Sequence, residues 1–237
     1  MQTVSISFFR FPTIIARTWA FTMMGAARLS LLHEREISFW KLCGSGTGEG
    51  FTPIPNTAVY AIVATWENDE VAHDRVGNSR LWQRYRRKSQ EDWTVFMVPI
   101  ASRGKWSGRA PFMTTKMKAH GPLAVLTRAT IKTRVAIPFW RQMPDVSRAI
   151  GTNPHVIFKI GLGEVPFLHP ITFSIWPDTE TMVEFARSPS GPHQAAIDAV
   201  REGGWFHEDL FTRFTVTGES GSWGGGSPLE KRMHADV

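Results

Sequence analysis

The chain has 237 residues, of which 42% are hydrophobic, enough for one large domain or two small ones around a real core. Its net charge of +6 is compatible with nucleic acid, with an anionic membrane surface, or with simple solubility. One cysteine, Cys43, excludes an internal disulfide and a cysteine-based metal cage.

Taken in chain order, the first predicted element is a strand, Thr3 to Arg10, in which polar residues alternate with apolar ones; this is not the pattern of a secretory leader. A helical segment carrying Trp19 follows. A strand comes next, Phe39-Trp-Lys-Leu-Cys-Gly44, running into Gly44-Ser-Gly-Thr-Gly-Glu-Gly50. That glycine run is no phosphate cradle. It lacks the terminal Gly-Lys-Ser/Thr, and prolines 53 and 55 and a strand follow it rather than a helix. It reads as a connection between strands or as the entrance to a long pocket. Ala58 to Ala64 is the longest apolar run, far short of a membrane span, and belongs to a strand ending at Trp66. One helix is predicted from Asp69 to Ser89 and a strand from Asp92 to Val98, followed by Trp106.

Beyond a Gly, Pro, Lys and Thr-rich linker, the same grammar returns. Strands are predicted at Ala124 to Lys132, Ile157 to Gly161 and Thr172 to Trp176, with a helical segment around Trp140. A helix from Glu180 to Gly203 and a strand from Asp209 to Val216 come next, and then Trp223. Trp19 and Trp140 are 121 positions apart, Lys41 and Lys159 are 118, Trp66 and Trp176 are 110, and Trp106 and Trp223 are 117. The drift places loops of different length in the two halves, with Lys41 and Lys159 expected at equivalent sites. Strand, helix, strand, strand, helix, strand is the ferredoxin-like order. The expected fold is α+β: tandem ferredoxin-like repeats that form, within one chain, a barrel of the dimeric α+β type. The halves are residues 1–106 and 122–223, joined by the linker 107–121 and followed by a mobile tail, 224–237.

No pair among the eight histidines has zincin spacing, and no Gly-x-Ser-x-Gly occurs, so zinc and serine hydrolases are disfavoured. His193 stands apart. Gly191 suits a helix N-cap and Pro192 the first helical position, so His193 falls in a first turn, where the helix dipole favours the neutral imidazole that binds iron. A solvent-exposed histidine is the plainer alternative. Arg10, Arg128, Lys41 and Lys159 sit within strands, either as outward charges and salt bridges or as partners of an anionic cofactor. The basic cluster Arg84, Arg86, Arg87 and Lys88 ends a helix without any nucleic-acid-binding motif, so no nucleic acid is expected as a partner. Sixteen Phe and ten Trp against two Tyr read as ordinary core or as the lining of an apolar tunnel.

Several long blocks, in order, resemble the spheroidene monooxygenase family: Phe39-Trp-Lys-Leu-Cys-Gly-Ser-Gly-Thr-Gly-Glu-Gly-Phe-Thr-Pro53, Leu126-Thr-Arg-Ala-Thr130, Phe158-Lys-Ile-Gly-Leu-Gly-Glu-Val-Pro-Phe167, Thr172-Phe-Ser-Ile-Trp-Pro-Asp178 and Gly191-Pro-His193. The resemblance spans Met1 to about Trp223; residues 111–120 and the last fourteen residues are less typical. It implies an oxidoreductase that uses O2 to place a C2 keto group on acyclic carotenoids such as spheroidene, through two hydroxylations of one carbon and loss of water. It implies a haem cofactor (iron porphyrin) and an external electron donor, reduced ferredoxin. By analogy with haem proteins of the same barrel type, haem belongs to the C-terminal half on a single histidine. On that footing His193 is the expected iron ligand, Lys159 a cofactor-binding partner of a propionate, and Arg128 the catalytic group that polarises bound oxygen. A cytoplasmic protein in peripheral contact with an anionic membrane is expected. A cofactor-free monooxygenase, a non-catalytic haem or lipid carrier and an RNA-binding module are the competing readings.

Overall fold

The computed structural model describes residues 1–48, 52–117, 121–141, 153–187 and 204–230. Four strands make the first half: β1 (Thr3–Arg10), β2 (Ile37–Gly46), β3 (Pro55–Trp66) and β4 (Glu91–Gly104). Helix α1 (Ile14–His33) joins β1 to β2, and α2 (Asp69–Asn78) with α3 (Arg80–Arg86) joins β3 to β4. The second half holds β5 (Leu123–Ile131), β6 (Phe158–Gly163), β7 (Pro170–Trp176), α4 (Thr179–Arg187) and β8 (Phe206–Gly221). Residues 136–141, which include Trp140, are helical.

All eight strands close into one antiparallel barrel in the order β1-β3-β2-β6-β7-β5-β8-β4. Each half contributes the same run, β4-β1-β3-β2 and β8-β5-β7-β6. The two junctions between halves are unequal. β4 and β8 pair from Trp93 opposite Gly221 to Gly104 opposite Leu210, whereas β2 and β6 meet only at Gly44 opposite Gly163 and Ser45 opposite Leu162.

Side chains alternate across the barrel wall. In β1, Val4, Ile6 and Phe8 point inward to a core shared by both halves, with Trp93, Ala124, Leu126, Phe173 and Phe214. Phe8 stacks on Trp93 with centroids 5.4 Å apart, and Phe158 and Phe173 crowd the same space, so the barrel is filled rather than hollow. Ser5 and Ser7 point outward, where they accept hydrogen bonds from the buried indoles of Trp66 and Trp82 (both 2.8 Å). Those indole N–H groups would otherwise be unpaired inside the helix layer. The inner stripe of α1, Ala16, Ala20, Met23, Ala27 and Leu31, is mostly small, so the helix lies close on the sheet.

The single helix expected from Asp69 to Ser89 is two. Ser79 is extended (φ −66°, ψ 143°) and ends α2. Gly77-Asn78-Ser79 is a weak helical stretch, and the break turns α3 so that Leu81, Trp82 and Tyr85 are buried. Residues 224–230, part of the expected mobile tail, contact the barrel: Gly225 N–H donates to Glu91 (2.9 Å), Ser227 hydrogen-bonds Glu219, and Leu229 packs against the core. The expected linker is also built in. Phe112 is core, and Gln2 donates to Pro111 O (3.0 Å) and accepts from Met113 N–H (2.7 Å).

Candidate functional site

Where β2 and β6 part, a cleft of about 300 Å³ opens at one barrel mouth. Its walls are apolar at Ala58, Val59 and Ile160 and aromatic at Phe158 and Trp223; Arg10, Ser45, Asn56 and Lys159 are its polar residues. Gly46 and Gly48, from the glycine-rich run, also line it. Arg10 lies 4.5 Å above the Trp223 ring and 3.4 Å from Glu91. Arg10 Nε and Ser45 Oγ are buried with no hydrogen-bond partner among the described residues.

The outer face of the second half carries a different arrangement. Val125 of β5 lies opposite Arg213 of β8 and Ser174 of β7, and Ser174 lies opposite Lys159 of β6. Arg213, Val125, Ser174 and Lys159 therefore form one row across four strands, with Phe211, Thr127, Thr172 and Gly161 as the next. At the usual strand spacing the two cations stand roughly 14 Å apart. Between them the floor is small side chains. The equivalent row of the first half is Phe96, Ser5, Ala64 and Trp40, aromatic at both ends and packed in or against the core under the helices. Arg213 Nε is buried and has no hydrogen-bond partner among the described residues. A buried guanidinium nitrogen without a partner is costly.

Arg128 sits at the opposite mouth and faces inward, only 2% exposed. Its guanidinium hydrogen-bonds Glu208 and lies 3.6 Å from Glu164. Glu164 also takes Lys41 Nζ at 2.7 Å and the Trp106 indole N–H at 2.6 Å. Glu208 accepts from Ser107 N–H (2.8 Å) and Gly108 N–H (2.7 Å), fixing a turn in which Ser107 has φ 55°. Burial pushes the Glu208 carboxyl up, but the two backbone N–H groups and Arg128 outweigh it and hold it below the ordinary range. Nearby His169 is pushed down, by burial first and by Arg128 second. Burial drives the Cys43 thiol far up, so it stays protonated and is no nucleophile.

The residues expected to work together are thus distributed. Lys159 stands on the outer row and lines the cleft; Arg128 is at the far mouth within an ion network; His193 lies outside the described residues. Lys41 and Lys159 are not equivalent. Lys41 lies opposite Val63, one residue off the register of Lys159 and Ser174, and faces into the barrel. A one-residue slip in a strand changes the face; β2 carries an irregularity between Ile37 and Phe39. Sequence reasoning missed Arg213, Glu164 and Glu208. The signal for Arg213 was present in the Phe211-Thr-Arg-Phe214 alternation, which sets it on the face opposite the core phenylalanine.

No known protein-family model matches the chain. It is 45% identical to spheroidene monooxygenase of Cereibacter sphaeroides over 236 residues, 99% of this chain and 73% of that protein. The Rhodobacter capsulatus enzyme of the same name is 42% identical over 236 residues, 98% of each chain. This chain belongs to the spheroidene monooxygenase family. A third member, from Rubrivivax gelatinosus, is 34% identical over 214 residues, 89% of this chain and 80% of that one. Membership makes the chain an oxidoreductase of the oxygenase type. Among solved structures, an aldoxime dehydratase (OxdRE) bound to butyraldoxime superposes with a TM-score of 0.59 at 10% identity, covering 91% of this chain and 80% of that one. At that identity the likeness concerns the fold alone.

Proposed function

We propose that this member of the spheroidene monooxygenase family is haem-dependent and introduces a C2 keto group into acyclic carotenoids such as spheroidene by successive O2-dependent hydroxylations. The observation that carries the haem reading is the outer row of the second half. Lys159 and Arg213 are the two cations of that row, and a carboxylate of the cofactor would pair with either of them. Lys159 and Arg213 would hold the propionates, and His193 would ligate the iron. When bound, haem supplies the one-electron oxidising power that no side chain has. Reduced ferredoxin is the proposed external electron donor.

The protein's own share is to position the substrate and exclude water. The seam cleft is at the small end of ligand pockets, so it takes one terminus of a polyene rather than its length. C2 lies near such a terminus. Phe158, Trp223, Val59 and Ile160 would surround the chain end. Arg128, considered in sequence as the oxygen-polarising group, is here assigned a structural role, because its Nη1 and Nη2 groups pair with two carboxylates at the other mouth. We also infer that residues 1–106 and 122–223 are tandem ferredoxin-like repeats; the shared strand order of the two halves supports this.

The test is the absorption spectrum of the purified protein, with coexpression in a carotenoid-producing host. A Soret band is expected, together with a red-shifted ketocarotenoid in the cells. His193→Ala should abolish or grossly shift the band. A colourless, fully active protein would sink the haem reading; a coloured protein that leaves carotenoid untouched would be a carrier instead.

A further inference from the structure

Helix α1 shows solvent a face that a water-soluble helix does not normally carry. Ile14, Ile15, Phe21, Leu29 and Leu32 are each 66–83% exposed. They lie on the side opposite the buried stripe of Ala16, Ala20, Met23, Ala27 and Leu31, so the helix is apolar on both sides. The polar groups among them turn back on the helix itself. Thr18 Oγ1 donates to Ile14 O (3.0 Å), Thr22 Oγ1 to Trp19 O (2.7 Å) and Arg28 Nε to Met24 O (3.1 Å). The threonines thereby present methyl groups outward, a habit that lowers the cost of leaving water.

We propose that the outward face of α1 is an interfacial anchor, lying in the headgroup–acyl boundary of an anionic membrane. The charge around the face selects that occupant. The helix contains Arg17 and Arg28 and no acidic residue. Tyr85 of α3 packs on Trp19 (5.2 Å), which brings the exposed Arg84, Arg87 and Lys88 alongside. A second copy of the chain would set these cations against themselves across an isologous contact, whereas phosphate headgroups neutralise them. No described helix is long and apolar enough to cross a membrane, and this one, at about 30 Å, is suited to lie flat. Only Phe11, Pro12 and Thr13 separate its start from Arg10 in the seam cleft, so docking would bring the cleft mouth to the lipid surface. A substrate dissolved in the bilayer could then enter without crossing water. That last link rests on the carotenoid reading; the docking does not.

The 237-residue protein is mixed with vesicles of equimolar phosphatidylcholine and phosphatidylglycerol, and with pure phosphatidylcholine vesicles, and separated by flotation. Binding to the anionic vesicles is expected, and Phe21→Asn with Leu29→Asn should weaken it about a hundredfold. Both residues are exposed, so the circular dichroism spectrum and the conversion of detergent-dispersed carotenoid should not change. Equal binding by the variant, or no binding by the parent, overturns the proposal. So does a parent dimer that the double variant converts to monomer, which would assign the face to a second copy. Vesicle binding without carotenoid conversion would instead defeat the functional reading and leave the anchor standing.

Discussion

Arg128 shows how one buried charge organises a region that looks catalytic. Among residues that are buried or partly buried, it touches two carboxylates, one of which also holds Lys41 and Trp106. Removing one member of a buried ion network leaves its partners desolvated and unpaired, at a cost of about 3–5 kcal/mol. Arg128→Met should destabilise the fold by about that amount in urea denaturation at neutral pH. The pH dependence has a definite sign. The folded Glu208 carboxyl titrates below its unfolded value, so its contribution is present above the ordinary glutamate range and is lost as pH falls through the lowered folded value. Arg128 is one cause of that lowering, so the gap between parent and variant should narrow in acid. A gap that stays constant from neutral to acid pH would remove Arg128 from the network. In the sequence Arg128 and Glu208 stand 80 positions apart, and nothing local announces that they meet.

At the scale of elements, what was legible followed from periodicity. β1 runs from Thr3 to Arg10 as read, because Val4, Ile6 and Phe8 alternate with Ser5 and Ser7 in a strand with a core on one side and indole donors on the other. β8 was read as Asp209 to Val216 but runs from Phe206 to Gly221. Its polar ends resemble loop, and only pairing with β4 and β5 makes them strand. The Lys41–Lys159 equivalence failed for a related reason, since repeat spacing does not record a bulge. Gly221 shows how tightly the β4–β8 junction is drawn. Its φ is +85°, and a Cβ there would lie 2.2 Å from Asp92 O. Gly221→Ala should cost about 3 kcal/mol or more, from a left-handed backbone and a contact with main chain that cannot yield. Gly44, on the other junction, has no atom within 4 Å of such a Cβ, so Gly44→Ala should stay within about 1 kcal/mol of the parent. Paired thermal melts check both, and equal losses would refute the contrast between the junctions.

The whole molecule is a closed ring of eight strands whose two halves share a strand order but not a joint. One joint, β4 with β8, is long and carries buried side chains on both faces. The other joins β2 and β6 through Gly44, Ser45, Leu162 and Gly163, and two of these four residues have no side chain to pair. Local opening follows the weakest cooperative unit, so the ring should part at β2–β6 well before it unfolds. The cleft lies at that joint, with Ser45 and Gly46 on one wall and Phe158 to Ile160 on the other. Opening at that joint would deepen the cleft into the otherwise filled interior. Native-state hydrogen exchange should therefore show the amides of Ser45 and Leu162 exchanging by local opening, with a weak dependence on denaturant. Those of Val95 to Val98 should exchange only through global unfolding. Uniform protection around the ring would mean that the short joint is as firm as the long one, and that the cleft is a fixed groove rather than a gate.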